Sequence, residues 1–447
     1  MLNYSFKSML KKYVSSSVFL IICTVLALIC ANSALKEWYF GIWESSVNFS
    51  IGEFNLFSHN GHNMTLHEVI NDFLMALFFL SVGLEIKREF LVGELSSPKK
   101  AMLPIIGACG GMLVPVIVFW LLCPGNLDMQ RGLAIPMATD IAFSLGVLSI
   151  FSTRVPIGLK VFLAALAVAD DLGGIIVIAI FYTSELHSIY LLLSLLCIII
   201  MIIANRFNIH HKMFYLAVGM LLWYTMLNSG IHATIAGVIT AFCIPATLRK
   251  GTEHYMKRIK EHINTFPVIE VSNKKSAVIL SNDDIHKLKS IESAADKLIS
   301  PLQDLEDNLR NIIGYVIIPL FAFANVGIDL SSMSVGTLFS GVSLSVMAGL
   351  VIGKFTGVFT FSWLAVKMHL VALPQGATWK AFSGVCMLCG IGLTVSIFIA
   401  DLSYSTIPVH GVEMLNQGKL GILCGSFISA IIGCIMLNNF LPKRRQV

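Results

Sequence analysis

Apolar residues fall in long runs, separated by short polar stretches. A run of about 20 residues is enough to cross a bilayer as a helix. About twelve such runs are present, centred near residues 23, 79, 112, 140, 171, 196, 219, 237, 318, 355, 391 and 428. The seventh and eighth flank Asn228-Ser229-Gly230 and are short and closely coupled. The pattern predicts an all-α polytopic membrane protein, one transmembrane domain over residues 1–447. Two loops are long. Residues 33–65 include VNFSIGEFNLF (47–57), whose alternation around Gly52-Glu53 predicts a small external β-hairpin. That hairpin could pair with a second copy or pack on its own loop. Residues 246–308 are rich in Lys, Glu and Asp, and the stretch DDIHKLKSIESAADKLISPLQDLEDNLR predicts an exposed helix leading into the ninth span.

Composition agrees with this class. Of 447 residues, 56% are hydrophobic and 13% charged, where a soluble protein carries about 25% charge. The first apolar run, from near Val14 to Ala31, is long enough to span, and no cleavable leader stands out. Basic residues then fix orientation. With a cytoplasmic N-terminus, 27 of the 31 Lys and Arg lie on the cytoplasmic side. Lys36, Arg131 and Lys419 fall outside, and Lys354 lies within an apolar run. Both termini are therefore expected in the cytoplasm. The net charge of +5 is a topology signal and gives no reason to expect nucleic acid. The ten cysteines sit almost entirely in apolar runs and read as packing residues, Cys386-Met387-Leu388-Cys389 included.

The charges inside the membrane carry the chemistry. Asp170 and Asp171 are the only charges in VFLAALAVADDLGGIIVIAIFY (Val161–Tyr182). Each costs at least about 2.5–3.5 kcal/mol at the centre of a span. Adjacent carboxylates there offer oxygen ligands to a small cation, acceptors for protons, or both. The fourth span, RGLAIPMATDIAFSLGVLSI, holds Pro136 and then Thr139-Asp140. The eleventh, AFSGVCMLCGIGLTVSIFIA, is interrupted by Gly390 and Gly392. Each predicts two half-helices with extended backbone between them, tolerated only when buried or lining a watered cavity. The broken helix stands second both in spans three to five and in spans ten to twelve. These triplets are candidates for an inverted repeat, with the two breaks crossing at mid-membrane. Half-helix N-termini would then meet on one side and C-termini on the other. Asp140 suits the first cluster, where a purely dipole-compensating role competes with a functional one. Lys354 suits the second, with Asp170, Asp171 and Asp140 as partners. His232, in SGIHATIAG, reads more as a buried hydrogen-bonding residue than a proton carrier; Asp72 reads as a helix-end or funnel residue.

Several stretches together resemble the NhaA-type sodium/proton antiporters over nearly the whole chain. They are FFLSVGLEIKRE (78–89), GGMLVP (110–115), ATDIAFSLGVL (138–148), LAVADDLGGIIVIAIFYT (166–183), HATIAGV (232–238), PLFAFANVG (319–327), GLVIGKFTG (349–357) and CGIGLTVSIFIA (389–400). That family is itself a standard example of inverted repeats with broken helices, so its agreement on that point is not independent. The resemblance implies a bacterial inner-membrane protein, exchanging one Na⁺ or Li⁺ for two protons. It implies ion and proton binding at Asp170 and Asp171, with Asp171 the firmer Na⁺ ligand. Thr139 and Asp140 would support the site, and Lys354 would pair with Asp170 when no cation is bound. It also implies a homodimer held partly by the hairpin, and a cytoplasmic pH-response cluster at Glu85, Arg88, Glu89 and Glu306. Here the sequence departs from the family's Glu-His-x-x-His before the ninth span: Asp307 and Arg310 replace both histidines. The loop before it is also longer, so the pH set-point is expected to differ.

Exchange needs only competition. Two neighbouring carboxylates cannot both stay charged without a counter-ion, so protons displace the cation. If the site opens to one side at a time, competition becomes coupled exchange. Rival readings fit less well. An intramembrane aspartyl protease needs a YD and a GxGD motif, whereas Thr139 precedes Asp140 and Ala169 precedes Asp170. A cation-coupled solute symporter of similar fold would want a roomier site and has no need of Lys354. No filter-like motif suggests a channel, and no cofactor motif stands out. An enzyme is not expected.

Overall fold

The computed structural model describes residues 16–442, except 53, 56, 60–61, 152–153, 183–185, 248–251, 265–281, 297, 333–334, 340 and 406. Lys7, Lys11, Lys12, Arg249, Lys250, Lys274, Lys275, Lys297, Lys443, Arg444 and Arg445, used for orientation, lie outside the described residues, as does Glu53 of the hairpin turn.

The apolar runs are helices. α1 (Ser16–Ala31) bends by 110° into α2 (Lys36–Glu44). α3 (Leu66–Leu91) carries a π-turn at Ile70–Leu74. α4 is Pro98–Leu122. α5 (Leu127–Met137), 3-10 in its last turns, meets α6 (Ile141–Ile150) at a 45° bend. α7 (Ile157–Phe181), α8 (Ser188–Arg206), α9 (Lys212–Leu227) and α10 (Ile235–Cys243) follow. α11 (Thr252–Asn264) and α12 (Asn282–Asp296) pack on each other within the long charged loop. α13 covers residues 301–325, with a π-turn at Ile313–Ile317. α14 (Gly341–Lys367) has a π-turn at Gly349–Lys354. α15 (Trp379–Leu388) and α16 (Leu393–Tyr404) meet at 44°, and α17 is Gly411–Phe440. Among the described residues, six helices are long and apolar enough to span alone, or up to nine spans if each bent pair is one.

Sidedness of burial fits a lipid solvent. α8 buries only Ser194, Met201 and Ala204 and leaves Leu192, Leu196, Ile199 and Ile203 exposed. The Ser194 hydroxyl donates to Thr225 Oγ1 of α9 at 2.8 Å. Small and polar residues turned toward neighbouring helices are the membrane pattern. α14 shows why the centre is tight. Gly349, Gly353 and Gly357 recur every four residues, and a Cβ at each would run into Pro136, Pro115 and Gly110 respectively. These glycines let α14 lie against α5 and α4, which carries Lys354 into the middle of the bundle.

The loops differ in detail from expectation. Ser50–Ile51 pairs antiparallel with Phe54–Asn55 around Gly52, which has a positive φ of 65°. A second pair, Ser58–His59 with His62–Asn63, was not foreseen. The Val47 amide donates to Met64 O at 2.8 Å, closing the loop on itself. The expected single helix across 283–310 is two, α12 and the start of α13. Ser300 accepts from the Gln303 amide and Pro301 occupies the first turn of α13. Proline has no amide to continue a preceding helix, so it starts a new one.

Candidate functional site

Each broken span leaves backbone groups that its own helix cannot satisfy, and the two breaks satisfy one another. The Asp140 amide donates to Ile391 O at 2.7 Å. Ser396 donates to Ile135 O at 2.7 Å, and the Gly392 amide donates to Ser426 Oγ of α17 at 3.2 Å. The extended segment 138–140 and the turn at 389–392 are buried throughout, as irregular backbone at this depth requires.

Asp140 stands where two half-helices begin. Its Oδ1 accepts from the Phe143 amide at 3.0 Å, capping α6. Its Oδ2 accepts from the Thr394 hydroxyl at 2.7 Å and the Thr394 amide at 3.2 Å, at the start of α16. One carboxylate thus serves two positive helix ends. On the other side half-helices end. The Lys354 ammonium donates to Met137 O, the last carbonyl of α5. It also forms an ion pair with Asp170 Oδ2 at 2.7 Å, both side chains fully buried. Thr139 Oγ1 lies 2.8 Å from the same Asp170 oxygen and 3.0 Å from Cys389 O, with one proton for the two.

Asp171 differs. It is 5% exposed and interacts electrostatically with Asp170, Asp140, Lys354 and Glu85. Asp170 Oδ1 and Asp171 Oδ1 are buried without a hydrogen-bond partner among the described residues. An unmet buried carboxylate oxygen is costly, and a proton or small cation removes that cost. The structure therefore brings Asp170, Asp171, Asp140, Thr139 and Lys354 together. Among the described residues no three His, Cys, Asp or Glu side chains converge as a metal site. The donors available to a cation here are oxygens.

The four charged residues expected at the cytoplasmic end form a second group, within electrostatic reach of Asp171 through Glu85. Arg88 reaches Glu306 at 2.5 Å and Glu89 at 3.1 Å. Arg310 reaches Glu306 at 3.1 Å and Asp307 at 3.8 Å. Glu85 lies within electrostatic reach of Arg88, Glu306 and Arg310. Two guanidinium groups, neither able to lose its charge, thus hold the buried Glu306.

Other residues were not foreseen. Thr394, in the first turn of α16, donates its hydroxyl to Asp140 and had no signal of its own in the sequence. Lys419, counted among the external basic residues, is 6% exposed. Asn71, Asn325 and Asp401 form a buried chain of their own. The cysteine pair is buried in and just after α15, and all ten cysteines are free.

Comparison with known proteins follows the same lines. The family described as Na⁺/H⁺ antiporter 1 matches residues 7–437. The chain is 49% identical over 443 residues to the Na⁺/H⁺ antiporter NhaA of Phocaeicola vulgatus, covering 99% of this chain and 97% of that protein. It is 49% identical over 434 residues to the protein of the same name from Bacteroides thetaiotaomicron, covering 97% of each. With the one from Helicobacter pylori it shares 43% over 438 residues, covering 98% and 95%.

Proposed function

The chain belongs to the Na⁺/H⁺ antiporter 1 family, and we propose that it moves one Na⁺ or Li⁺ outward for two protons inward, at Asp170 and Asp171. It is a multi-pass membrane Na⁺/H⁺ antiporter and not an enzyme. The observation that carries the site assignment is the pair of buried carboxylate oxygens, Asp170 Oδ1 and Asp171 Oδ1, that none of the described residues satisfies.

Asp171 is the principal cation ligand, since no lysine or hydroxyl occupies it. Asp170 shares Lys354 and Thr139. While no cation is bound, the Lys354 ammonium balances Asp170 and Asp171 holds a proton. A Na⁺ ion arriving at Asp171 displaces that proton. Its positive charge beside Asp170 takes the place of the ammonium's, so Lys354 gives up the second proton and stays as a neutral amine. Protons arriving from the other face reverse both steps. Asp140 keeps the crossing half-helices in register by capping two of them, so the breaks act as one unit. Movement of that unit exposes the carboxylates to one face and then the other. Two titrating groups against one monovalent cation make the cycle electrogenic.

The remaining architecture follows the same reading. Counting α9, α10 and α13 with the nine gives twelve spans, arranged as inverted repeats. Both termini are cytoplasmic in the inner membrane of a bacterium. The hairpin at 47–57 joins two copies into a homodimer. Glu85, Arg88, Glu89 and Glu306 tune the rate with pH. Because Arg310 and Asp307 replace titrating histidines, tuning near neutrality rests on the carboxylates. The test is Na⁺-, Li⁺- and K⁺-driven proton flux in proteoliposomes across pH. Flux with Na⁺ or Li⁺ supports this reading, and flux with K⁺ alone contradicts it.

A further inference from the structure

A second polar layer lies at the end of the bundle opposite the Arg88–Glu306 cluster. Asn71 of α3 donates to Asp401 Oδ2 of α16 at 2.7 Å. Asn325 of α13 donates to Asn71 Oδ1 at 2.9 Å, and His67 Nε2 lies 3.0 Å from Asn325 Oδ1. Asn71, Asn325 and Asp401 are all buried. The chain of donors ends on the Asp401 carboxylate and fixes the position of its Oδ2. Amide chains orient dipoles but do not pass protons readily, so the layer positions the carboxylate and does not relay protons. Asp401 also lies within electrostatic reach of Asp72 and His232. Lys419 of α17 interacts with Asp401 too, yet among the described residues it has no hydrogen bond or ion pair, although 6% exposed. Among the described residues, the Lys419 ammonium thus neighbours Asp401 without bonding to it.

An aromatic layer separates this group from the Asp170–Asp171 site. Phe398, three residues before Asp401, packs on Phe79 and Phe321 at centroid distances of 5.8 and 6.4 Å. Phe321 lies one turn inward of Asn325 on α13, and Phe79 lies two turns inward of Asn71 on α3. Beside them, Phe79, Ile175, Ile178, Thr234, Ile235 and Val238 line a narrow apolar crevice. Ile175 and Ile178 share the face of α7 that carries Asp171, at helical spacings of four and seven. An apolar plug thus has a carboxylate at each end: Asp171 on one side, Asp401 on the other.

We propose that Asp401 is an outer carboxylate station for Na⁺, positioned by Asn71 and set against Lys419, where the ion pauses between the exterior and Asp171. This rests on the antiport reading and on the orientation given above. The mechanism at Asp171 does not use Asp401, and the station acts on one face only. A charge there raises the local concentration of cation at the mouth of the path.

Reconstituted protein is assayed with the Na⁺ concentration varied separately on each face. Asp401→Asn raises the half-saturating external Na⁺ roughly tenfold and leaves the cytoplasmic value unchanged. Asp401→Glu restores it. Lys419→Met removes the competing charge and lowers the external value, and it decides the matter alone if Asp401→Asn does not assemble. Equal changes on both faces, no change in either variant, or a shift confined to the cytoplasmic face overturns the proposal. Asp171→Asn is run alongside: continued exchange there would sink the antiport site itself, a separate failure.

Discussion

Lys354→Met isolates the counter-charge at the centre. The ion pair with Asp170 is 2.7 Å long and wholly buried. At an effective dielectric constant of about 20, charges at that distance attract by about 6 kcal/mol. Desolvating both groups offsets much of this, so the net worth of the pair is small. Removing one partner is different, because Asp170 then stays buried with only Thr139 to meet it, a loss of about 3–5 kcal/mol. Met137 O also loses its donor, at about 1 kcal/mol. Lys354→Met/Asp170→Asn should be more stable than Lys354→Met alone, recovering at least about 2 kcal/mol but not all. The assay is unfolding of the purified proteins in one detergent, by heat and by denaturant. The expected order is wild type, double variant, Lys354→Met. If the two single changes simply add in the double, the pair is not coupled and the counter-charge argument is wrong.

Exchange should be electrogenic: an imposed membrane potential changes its rate, and Na⁺ addition produces currents on a solid-supported membrane. Electroneutral exchange would point to one proton per cycle. Glu306→Gln should move the rate-against-pH profile by less than Asp170→Asn does, measured at saturating and limiting Na⁺; the opposite ranking would make the cytoplasmic cluster the dominant sensor. The Lys36–Asp329 bridge, 2.5 Å long, ties α2 to the loop after α13. Hydrogen bonds from Lys36 and Ser331 hold the Asp329 carboxyl at about 2, below its ordinary 3.8. A lowered carboxyl contributes stability above its ordinary value and loses it as pH falls toward about 2. Fluorescence of Trp43 in α2, taken as the difference from Trp43→Phe, should therefore hold down to about pH 4 and change only below. A transition near pH 6 would exclude this bridge as its cause.

Much of the centre was legible because membrane sequences expose their exceptions. Asp170, Asp171 and Lys354 stand out as charges in apolar runs, and Pro136, Gly390 and Gly392 as breaks. The cluster of half-helix ends was legible as a possibility, because dipole signs follow from chain direction. What one chain position cannot reveal is which backbone carbonyl a distant side chain meets. Met137 O for Lys354 and Cys389 O for Thr139 needed the two breaks placed against each other. Asp401 was overlooked because it sits near the end of a span, where a charge is inexpensive. Only its contact with Asn71, 330 residues away, marks it as buried. The π-turns at Ile70–Leu74, Ile313–Ile317 and Gly349–Lys354 interrupt neither the apolar pattern nor the helix, so the sequence does not mark them. The stop before α13 was readable from Ser300-Pro301, but the charged pattern running through it suggested one helix.

The central claim is that Asp171 carries the cation. Its most direct test is Na⁺-driven proton flux in proteoliposomes containing Asp171→Asn, with assembly checked by size-exclusion chromatography. The account predicts a folded, inserted protein whose flux is indistinguishable from empty liposomes at every pH. Normal Na⁺-driven flux in that variant would contradict it.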